Sequence, residues 1–492
     1  MKVALIDPPH QAFMGYRRFY FPLGIVSVGT ALARNGHEVR IFDEEHLPEG
    51  CCLSNAAASN EFHRYYDGVT NAEHPIWKAL HDKLLAFLPD IVGITVLSCK
   101  VDSALAIARM VRTILPHARV MLGGDHVLAC ARELILHDCV DAVVLGEGEE
   151  TACELVAAWQ HNRSLRGIAG LATREAGKPV VNPRRPLIGN LDSIPTPDRS
   201  LLNHVESYTP TDLGLMMTSR GCSQRCTFCG IGASFGREVR YRSIQACLRE
   251  ISETHDKYGT QYFSFRDGTF TADRARTEVF CRALISDQPN VKWECLTRAD
   301  CLDGPLLDLM LKANCLQLRI GIESGSPRIL RHIQKDTTIE EYVRAADLLN
   351  SRGMYWSAYV MLGLPEETVE DIQMTMDLLV QLQPSFVTMS RFVPLPGTIS
   401  YKSILKAGRQ VKWLYQNNMC LEDSYCNNVP VSELQSIIKA AFTFAEEYNA
   451  QHTSSSAYDH RISYSGVDAS GGKREPNRLT GFTRTSCFGA PS

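Results

Sequence analysis

The 492-residue chain lacks the sequence features of a membrane, secreted or nucleic-acid-binding protein. Between Lys2 and Asp7 there are only four apolar residues, too few for the core of a signal peptide. The uncharged window 19–33 is shorter than a membrane span and contains proline and glycine. The net charge is −4 and no long basic run occurs, so we expect no nucleic-acid partner and no membrane span. The sequence therefore predicts a cytoplasmic protein of about two to four domains.

Cysteine is abundant, with 17 residues, but most of these cysteines are scattered without regular spacing. An odd, scattered set argues against a disulfide framework. The segment GCSQRCTFCG (221–230) is different, because it brings together Cys222, Cys226 and Cys229. A structural zinc site needs four ligands, whereas three thiolates can hold a 4Fe–4S cluster and leave its fourth iron open. The alternatives are a zinc site completed by a distant residue and a chance grouping.

Alternating strand and helix patterns over residues 1–165 predict an α/β domain with a doubly wound, Rossmann-like parallel sheet. The predicted strands are 2–7, 37–43, 89–96, 118–124 and 140–146, and the predicted helices are 22–36, 101–115 and 130–138. The charged stretch 44–74 is expected to be a loop or an excursion. Ligands bind at the carboxyl ends of such strands, where this chain has DPPH, LSCK, GGDH and GEGEE. GEGEE lacks the third glycine of a dinucleotide fingerprint, and its glutamates would repel a pyrophosphate.

The second half of the chain predicts a partial (β/α)6 TIM barrel. We expect a proline-rich linker over 166–210, the barrel over 211–398, a helical region over 399–452 and a disordered tail over 453–492. The predicted barrel strands are 213–219, 262–267, 292–297, 316–322, 356–362 and 384–391, with helices at 244–258 and 369–382 among the segments between and after them. The three cysteines follow the first of these strands, at the end where barrels carry their chemistry.

Charged residues also end two of these strands, in FRDGTF and LTRAD. Arg266, Asp267 and Arg298 therefore either line the active site or pair with one another at the mouth of the barrel.

The cysteine motif after the first barrel strand, together with GIESGS (321–326) and YVMLGLPEET (359–368), resembles the radical S-adenosylmethionine (SAM) enzymes. The resemblance implies that Cys222, Cys226 and Cys229 ligate the cluster, that SAM binds the open iron, and that its reductive cleavage gives a 5′-deoxyadenosyl radical. The implied SAM-binding residues are Phe228, Glu323, Ser324, Met361 and Gly363. For Glu323 the alternative is a carboxylate that stabilises a helix N-terminus.

The first half resembles the cobalamin-binding domain that precedes the barrel in one large radical SAM subfamily. The similar segments are PLGIVSVGTALARNGHEVRIFD, PDIVGIT, MLGGDHV and VDAVVLGEGEET. The implied cobalamin-binding residues are glycine-rich strand ends and two hydroxyl side chains: Thr95, Ser98, Gly123, Gly124, Gly146, Glu147 and Gly148. The Asp-x-His-x-x-Gly segment of the other cobalamin module is missing, so we expect no histidine ligand to cobalt from this domain. His10 and His126 are expected to be loop residues.

Together these resemblances imply a cobalamin-dependent radical SAM methyltransferase that transfers a methyl group from methylcobalamin to an unactivated carbon of a small-molecule biosynthetic intermediate. The same cofactors also serve non-methylating oxidations, cyclisations and rearrangements. Two further alternatives are a radical SAM enzyme that does not use cobalamin and an iron–sulfur module without catalysis. A low-potential cluster needs a reductant, which implies an electron donor of the flavodoxin or ferredoxin type.

Overall fold

The computed structural model describes residues 1–48, 51–52, 55–411 and 424–452. The tail 453–492, which we expected to be disordered, lies outside these residues. Within the described ranges, no helix is both long enough and apolar enough to cross a membrane.

The first half of the chain forms a largely parallel sheet with helices on both faces. The strands of this half are β1 (Lys2–Asp7), β2 (Tyr16–Arg17), β3 (Glu38–Asp43), β4 (Cys51–Cys52), β5 (Ile91–Thr95), β6 (Arg119–Gly123), β7 (Ala142–Val144), β8 (Leu171–Glu175) and β9 (Lys178–Val181). Of these, β2 and β4 form a separate pair. Its helices are α1 (Leu23–Arg34), α2 (Asn55–Thr70), α3 (Pro75–Phe87), α4 (Val101–Ile114), α5 (Val127–Leu134) and α6 (Gly148–Gln160). The strand order is β3-β1-β5-β6-β7-β8-β9, which confirms the doubly wound sheet. Its central strands are apolar because helices cover both faces.

Two segments of this half differ from the sequence prediction. The stretch 44–74 contains α2, whose Phe62 and Tyr65 are buried in an aromatic cluster beside Phe13. The expected linker 166–210 contains the β8–β9 hairpin, which extends the first sheet in the antiparallel sense. Its two-residue turn places Ala176 and Gly177 in the left-handed region, with φ of 47° and 75°. An alanine there gives a weaker turn signal than Asn-Gly does, so the sequence pattern does not indicate a hairpin.

The second half forms a parallel sheet that curves into an open barrel. Its strands are β10 (Leu215–Met216), β11 (Ser219–Arg220), β12 (Arg240–Tyr241), β13 (Tyr262–Phe265), β14 (Lys292–Thr297), β15 (Cys315–Glu323), β16 (Tyr355–Leu362) and β17 (Phe386–Arg391). Its helices are α7 (Ile231–Ser234), α8 (Ile244–Tyr258), α9 (Arg274–Asp287), α10 (Gly304–Lys312), α11 (Pro327–His332), α12 (Ile339–Ser351), α13 (Val369–Leu382), α14 (Ile399–Lys406) and α15 (Val431–His452). The order β10-β13-β14-β15-β16-β17 confirms the partial barrel, which is open between β10 and β17 in the described part of the chain.

The first predicted barrel strand is divided into two. β10 pairs with β13 inside the barrel sheet, whereas β11 leaves it and pairs antiparallel with β12. The division occurs at Thr218, whose backbone N–H donates to Asp267 Oδ1 (3.0 Å) instead of continuing the ladder.

The far edge of the barrel sheet is covered by the C-terminal helix α15. Asn449 accepts from the N–H of Val387 (2.8 Å) and donates to its carbonyl (2.9 Å), as a neighbouring strand would. Tyr448 donates to the carbonyl of Pro384 (2.6 Å). These contacts satisfy edge groups that would otherwise be open to another strand.

Candidate active site

The three cysteines lie in the segment 221–239, which connects β11 to β12. Gly221 begins the segment with φ +96°, and a Cβ there would lie 2.1 Å from the carbonyl oxygen of Glu238, so the close approach requires glycine. Two backbone hydrogen bonds hold the middle of the segment, from Thr227 N to Ile333 O (2.9 Å) and from Ser400 N to Thr227 O (3.0 Å). The cysteines are thus displayed on a segment that is fixed at its start and at its centre.

The three cysteines form no disulfide and are partly buried, and the charges of Cys222 and Cys226 act on the thiol of Cys229. Burial, with smaller contributions from the neighbouring Cys226 and Cys222, raises the pKa of the Cys229 thiol to about 11. Burial also raises the pKa of Cys226, which Lys335 and Arg298 partly offset. No group of three or more His, Cys, Asp or Glu residues in the described ranges is arranged to hold a single metal ion. In a 4Fe–4S cluster each thiolate binds a different iron, so three free, partly buried cysteines on one short segment fit that cluster.

The residues expected to bind SAM at the end of β15 are held by an ion pair and by hydrogen bonds. Glu323 has φ +64°, an uncommon conformation for a residue with a side chain, where the β15–β16 register shifts. Its Oε1 lies 3.1 Å from Lys335 Nζ, and a Cβ on Gly321 would come within 2.2 Å of the same oxygen. Ser324 is buried, and its hydroxyl is 3.3 Å from that of Thr375. The structure thus places at position 323 a carboxylate paired with Lys335, and the N-cap of the helix that follows is Ser326.

The other expected SAM residues lie along the barrel core. Phe228 and Met361 are partly buried and pack against it. Gly363 follows β16 with φ +80°, and its N–H donates to Glu367 Oε2 (2.6 Å). These residues and the cysteines lie at the carboxyl ends of the barrel strands or directly after them. Because the strands are parallel, those ends meet at the same end of the barrel sheet.

Arg266, Asp267 and Arg298 each have different partners. Arg266 lines a cavity and lies over the ring of Tyr20, 5.1 Å from its centroid. Asp267 is buried, and its Oδ1 accepts from Thr218 N and from Ser219 Oγ (2.5 Å). Burial raises the pKa of Asp267.

Arg298 pairs with Asp300 (2.9 Å) and donates to Thr337 Oγ1 (2.8 Å). Arg266 thus lines the cavity, whereas Asp267 and Arg298 have partners outside the trio.

A cavity of about 610 Å³ separates the carboxyl edge of the first sheet from the mouth of the barrel. The first domain contributes Thr95, Gly123, Gly124, Gly146, Glu147 and Gly148 to its wall. The second half contributes Arg220 and Phe235, which flank the cysteines, and Arg266. The cavity therefore borders the glycine-rich edge directly and reaches the cysteine segment through Arg220 and Phe235, whereas the three cysteines themselves do not line it.

The glycine-rich edge leaves room for a ligand at Gly146, which lines the cavity with φ +79° and where a Cβ would meet no protein atom within 4 Å. The backbone packs more tightly at the neighbouring loop. Gly124 has φ +104°, and a Cβ there would lie 2.8 Å from Val96 O and 3.0 Å from Thr95 Oγ1. Of the expected cobalamin-binding side chains, Ser98 does not line the cavity; its hydroxyl is 3.0 Å from His126 Nδ1. Burial lowers the pKa of both His126 and His10 to about 4, so both imidazoles are neutral at pH 7.

Sequence reasoning missed a contact between the two halves at Tyr20. This residue is buried with φ +66°, and its hydroxyl donates to Glu294 Oε1 (3.1 Å) inside the barrel. Glu294 also accepts from Ser264 (2.5 Å) and pairs with Arg319 (2.8 Å). The aromatic segment FYFPLG was visible, but nothing in it indicated a glutamate 274 residues away.

Comparison with known proteins extends this description. The model of the radical SAM superfamily matches residues 216–379, and the model of the B12 binding domain matches residues 16–156. An uncharacterized methyltransferase of Pyrococcus horikoshii is 34% identical over 406 residues, covering 81% of this chain and 82% of that protein. Cytidylyl-2-hydroxyethylphosphonate methyltransferase of Streptomyces wedmorensis is 26% identical, covering 92% and 90%. Anaerobic magnesium-protoporphyrin IX monomethyl ester cyclase of Cereibacter sphaeroides is 27% identical, covering 72% and 59%.

Two solved structures share the fold. The radical SAM methyltransferase TsrM from Kitasatospora setae superposes with a TM-score of 0.66 at 20% identity, covering 82% of this chain and 75% of that chain. The cobalamin-dependent SAM radical enzyme OxsB gives 0.65 at 16% identity, covering 90% and 66%. The two domain matches imply a 4Fe–4S cluster, SAM and cobalamin as cofactors. The chain belongs to the cobalamin-dependent radical SAM enzymes, with a B12-binding domain followed by a radical SAM domain.

Proposed function

We propose that this protein is a methyltransferase that transfers a methyl group to an unactivated carbon of a small-molecule biosynthetic intermediate. The observation that carries the proposal is a cavity whose wall combines the glycine-rich edge of the first sheet with Arg220 and Phe235 from either side of the three cysteines. A methyl carrier and a radical source must both reach one substrate carbon, and a cavity bordered by both halves of the chain supports that requirement.

The residues present fit the cofactors that the family uses. Cys222, Cys226 and Cys229 would hold the cluster, Glu323 and Ser324 would lie near the polar end of SAM, and the edge formed by Thr95, Gly123, Gly124, Gly146, Glu147 and Gly148 would lie against cobalamin. When bound, the cluster with SAM supplies radical cleavage of a carbon–hydrogen bond, and cobalamin supplies the methyl group. We propose a flavodoxin- or ferredoxin-type protein as the electron donor.

The chain's own part is to position these groups and to exclude water. Apolar side chains such as Leu5, Ile25 and Val144 form much of the cavity wall on the first-domain side. Tyr20 and Arg266 meet across the boundary between the two halves and close that part of the wall. A wall of this kind limits the access of water, which would otherwise quench a radical or hydrolyse an intermediate.

Two relatives support methyl transfer. The methyltransferases of Pyrococcus horikoshii and Streptomyces wedmorensis match this chain over 81% and 92% of its length, so the similarity includes both domains. The second of these acts, by its name, on a nucleotide-linked phosphonate, which is a small molecule.

The cyclase of Cereibacter sphaeroides favours a second candidate function. It is 27% identical over 72% of this chain, and its name describes a ring closure, not a methylation. A cobalamin-binding enzyme that catalyses a non-methylating cyclisation, oxidation or rearrangement is therefore the alternative to test.

The test is an anaerobic reconstitution with iron, sulfide and hydroxocobalamin, followed by SAM, a strong reductant and a panel of small molecules that includes cytidylyl-2-hydroxyethylphosphonate. Formation of 5′-deoxyadenosine and S-adenosylhomocysteine together, with a product heavier by one methylene unit, is the expected result. A product without added carbon would establish the alternative function. Cys226→Ser is the matched control, in which 5′-deoxyadenosine should disappear. If the wild type retains a full cluster and corrinoid but forms neither nucleoside with any substrate, the proposal is refuted.

A further inference from the structure

Two glutamates of the GEGEE loop form ion pairs with the second half of the chain. Glu147 and Glu149 are only 7% and 6% exposed, and their carboxylates are occupied by arginines of the second half. Arg220 Nη1 lies 3.0 Å from Glu147 Oε1, and its Nη2 lies 2.6 Å from Glu149 Oε1. Arg240 Nη1 lies 3.0 Å from Glu147 Oε2. Three buried ion pairs therefore join this loop to the radical SAM domain.

Both arginines belong to the ribbon that carries the cysteines. Arg220 in β11 and Arg240 in β12 are direct partners in the antiparallel pair, and the segment between them contains Cys222, Cys226 and Cys229. Glu147 thus contacts both ends of the cysteine segment at once. Its hydrogen bond from Ile188 N (2.7 Å) fixes the carboxylate further.

A second loop of the first domain contacts the same segment from another side. Asp125, in GGDH, accepts a hydrogen bond from Ser234 Oγ (2.7 Å), and Ser234 ends the short helix that follows the third cysteine. The two glycine-rich loops that border the expected cobalamin site therefore both bind the segment that holds the cluster cysteines.

We propose that Glu147 and Glu149 are positioning residues, which fix the cysteine segment against the first domain and so set the separation and orientation of cluster and cobalamin. This inference rests on the proposed two-cofactor function. Burying a charged side chain without a partner costs free energy, so these ion pairs form whenever the two halves are in contact. An ionic contact of this kind holds one geometry, where an apolar contact would allow several. The backbone of the loop remains free to approach the cofactor while its side chains hold the other domain.

The test compares Glu147→Gln, Glu149→Gln and Glu149→Asp with Glu150→Gln in the full chain. Glu150 is the neighbouring residue, its side chain is about half exposed, and it pairs with Arg185 at 3.4 Å, outside the cysteine ribbon. The first readout is hydrogen exchange of the cluster-loaded protein. We expect peptides within 221–239 to exchange at least about tenfold faster in Glu149→Gln, with the barrel core unchanged, because a local anchor has been lost. Glu150→Gln should match the wild type.

The second readout is the distance between the reduced cluster and cob(II)alamin, measured by pulsed electron paramagnetic resonance after reconstitution. A narrow distribution in the wild type should broaden or shift in Glu149→Gln, with iron and corrinoid contents unchanged, and Glu149→Asp should be intermediate. With a substrate in hand, 5′-deoxyadenosine formed per methylated product should rise several-fold.

The outcomes separate this proposal from the function on which it rests. An unchanged exchange pattern in 221–239 together with an unchanged distance distribution would overturn the positioning role. Faster exchange throughout the barrel in the two Glu149 variants would also overturn the positioning role, since that result indicates general destabilisation. If the wild type retains no corrinoid, the cobalamin-dependent function fails, whereas the exchange experiment still decides whether Glu149 anchors the cysteine segment.

Discussion

Glu367 provides a direct test of how burial acts on a carboxyl group in this barrel. The residue lies between β16 and α13 and has no exposed surface. Its Oε2 accepts the N–H groups of Gly363 (2.6 Å) and Leu364 (3.2 Å), whereas Oε1 has no hydrogen-bond partner among the described residues. Burial raises the pKa of Glu367 to about 8, from 4.5 for a free glutamate. The folded protein therefore holds this group protonated at neutral pH.

The sign of the resulting pH dependence follows from this shift. Because the folded-state pKa lies above the unfolded one, the stability associated with the group is fully present below about pH 4.5 and is lost as the pH rises through about 8. Between about pH 5.5 and about pH 8.5, the linkage relation gives a loss of roughly 3 kcal/mol from this single group. Glu367→Gln cannot ionise and should not show that loss.

The assay is urea unfolding of the wild type and Glu367→Gln at both pH values, followed through the fluorescence of Trp293 and Trp356, which are buried in the barrel. We expect the difference in unfolding free energy between the two proteins to move by roughly 3 kcal/mol in favour of the variant as the pH rises. Glu370→Gln is the control, since Glu370 is an exposed glutamate at the start of α13. A difference that stays constant across the pH range would refute the reasoning.

Three further changes test other parts of the site. Gly124→Ala should reduce corrinoid retention after gel filtration by at least about tenfold, because its Cβ would lie 2.8 Å from a backbone oxygen. Gly189→Ala is the control and should retain corrinoid, because no atom lies within 4 Å of its Cβ. Cys229→Ser should lose the cluster, measured as iron per chain, and should keep corrinoid; normal iron content would exclude Cys229 as a ligand. Asp267→Ala should lower the unfolding free energy by ~2–4 kcal/mol and should reduce iron content, because it leaves buried donors beside the cysteine segment unpaired. Retained iron in a destabilised Asp267→Ala protein would limit that residue to a purely structural role.

Much of the fold could be predicted because it depends on local periodicity. Helices α8 and α13 and strand β14 begin and end where the pattern of apolar residues placed them. Those elements pack one regular face, so the spacing of the side chains carries the information. The division of the first barrel strand was not predictable in this way, because its cause is Asp267, a carboxylate 49 residues further along the chain.

The candidate site also contains parts that the sequence indicates and parts that it does not. The cysteine spacing is a local pattern, and the sequence revealed it directly. Glu147 appeared as part of a glycine-rich loop, but its partners Arg220 and Arg240 are 73 and 93 residues away. Ion pairs at such separations leave no periodic signal in one sequence, so the side of the loop that faces the other domain became visible only in three dimensions.

Tyr20 limits how the chain can be divided or recombined. A barrel produced without the first domain would lose one of the donors to Glu294 and would open the neighbouring Ser264 to water. A hybrid that joins this barrel to the first domain of another family member would keep the interior intact only if the incoming segment supplied an aromatic hydroxyl at the same place. Tyr20 is therefore a contact that any division or recombination of the two halves has to preserve or replace.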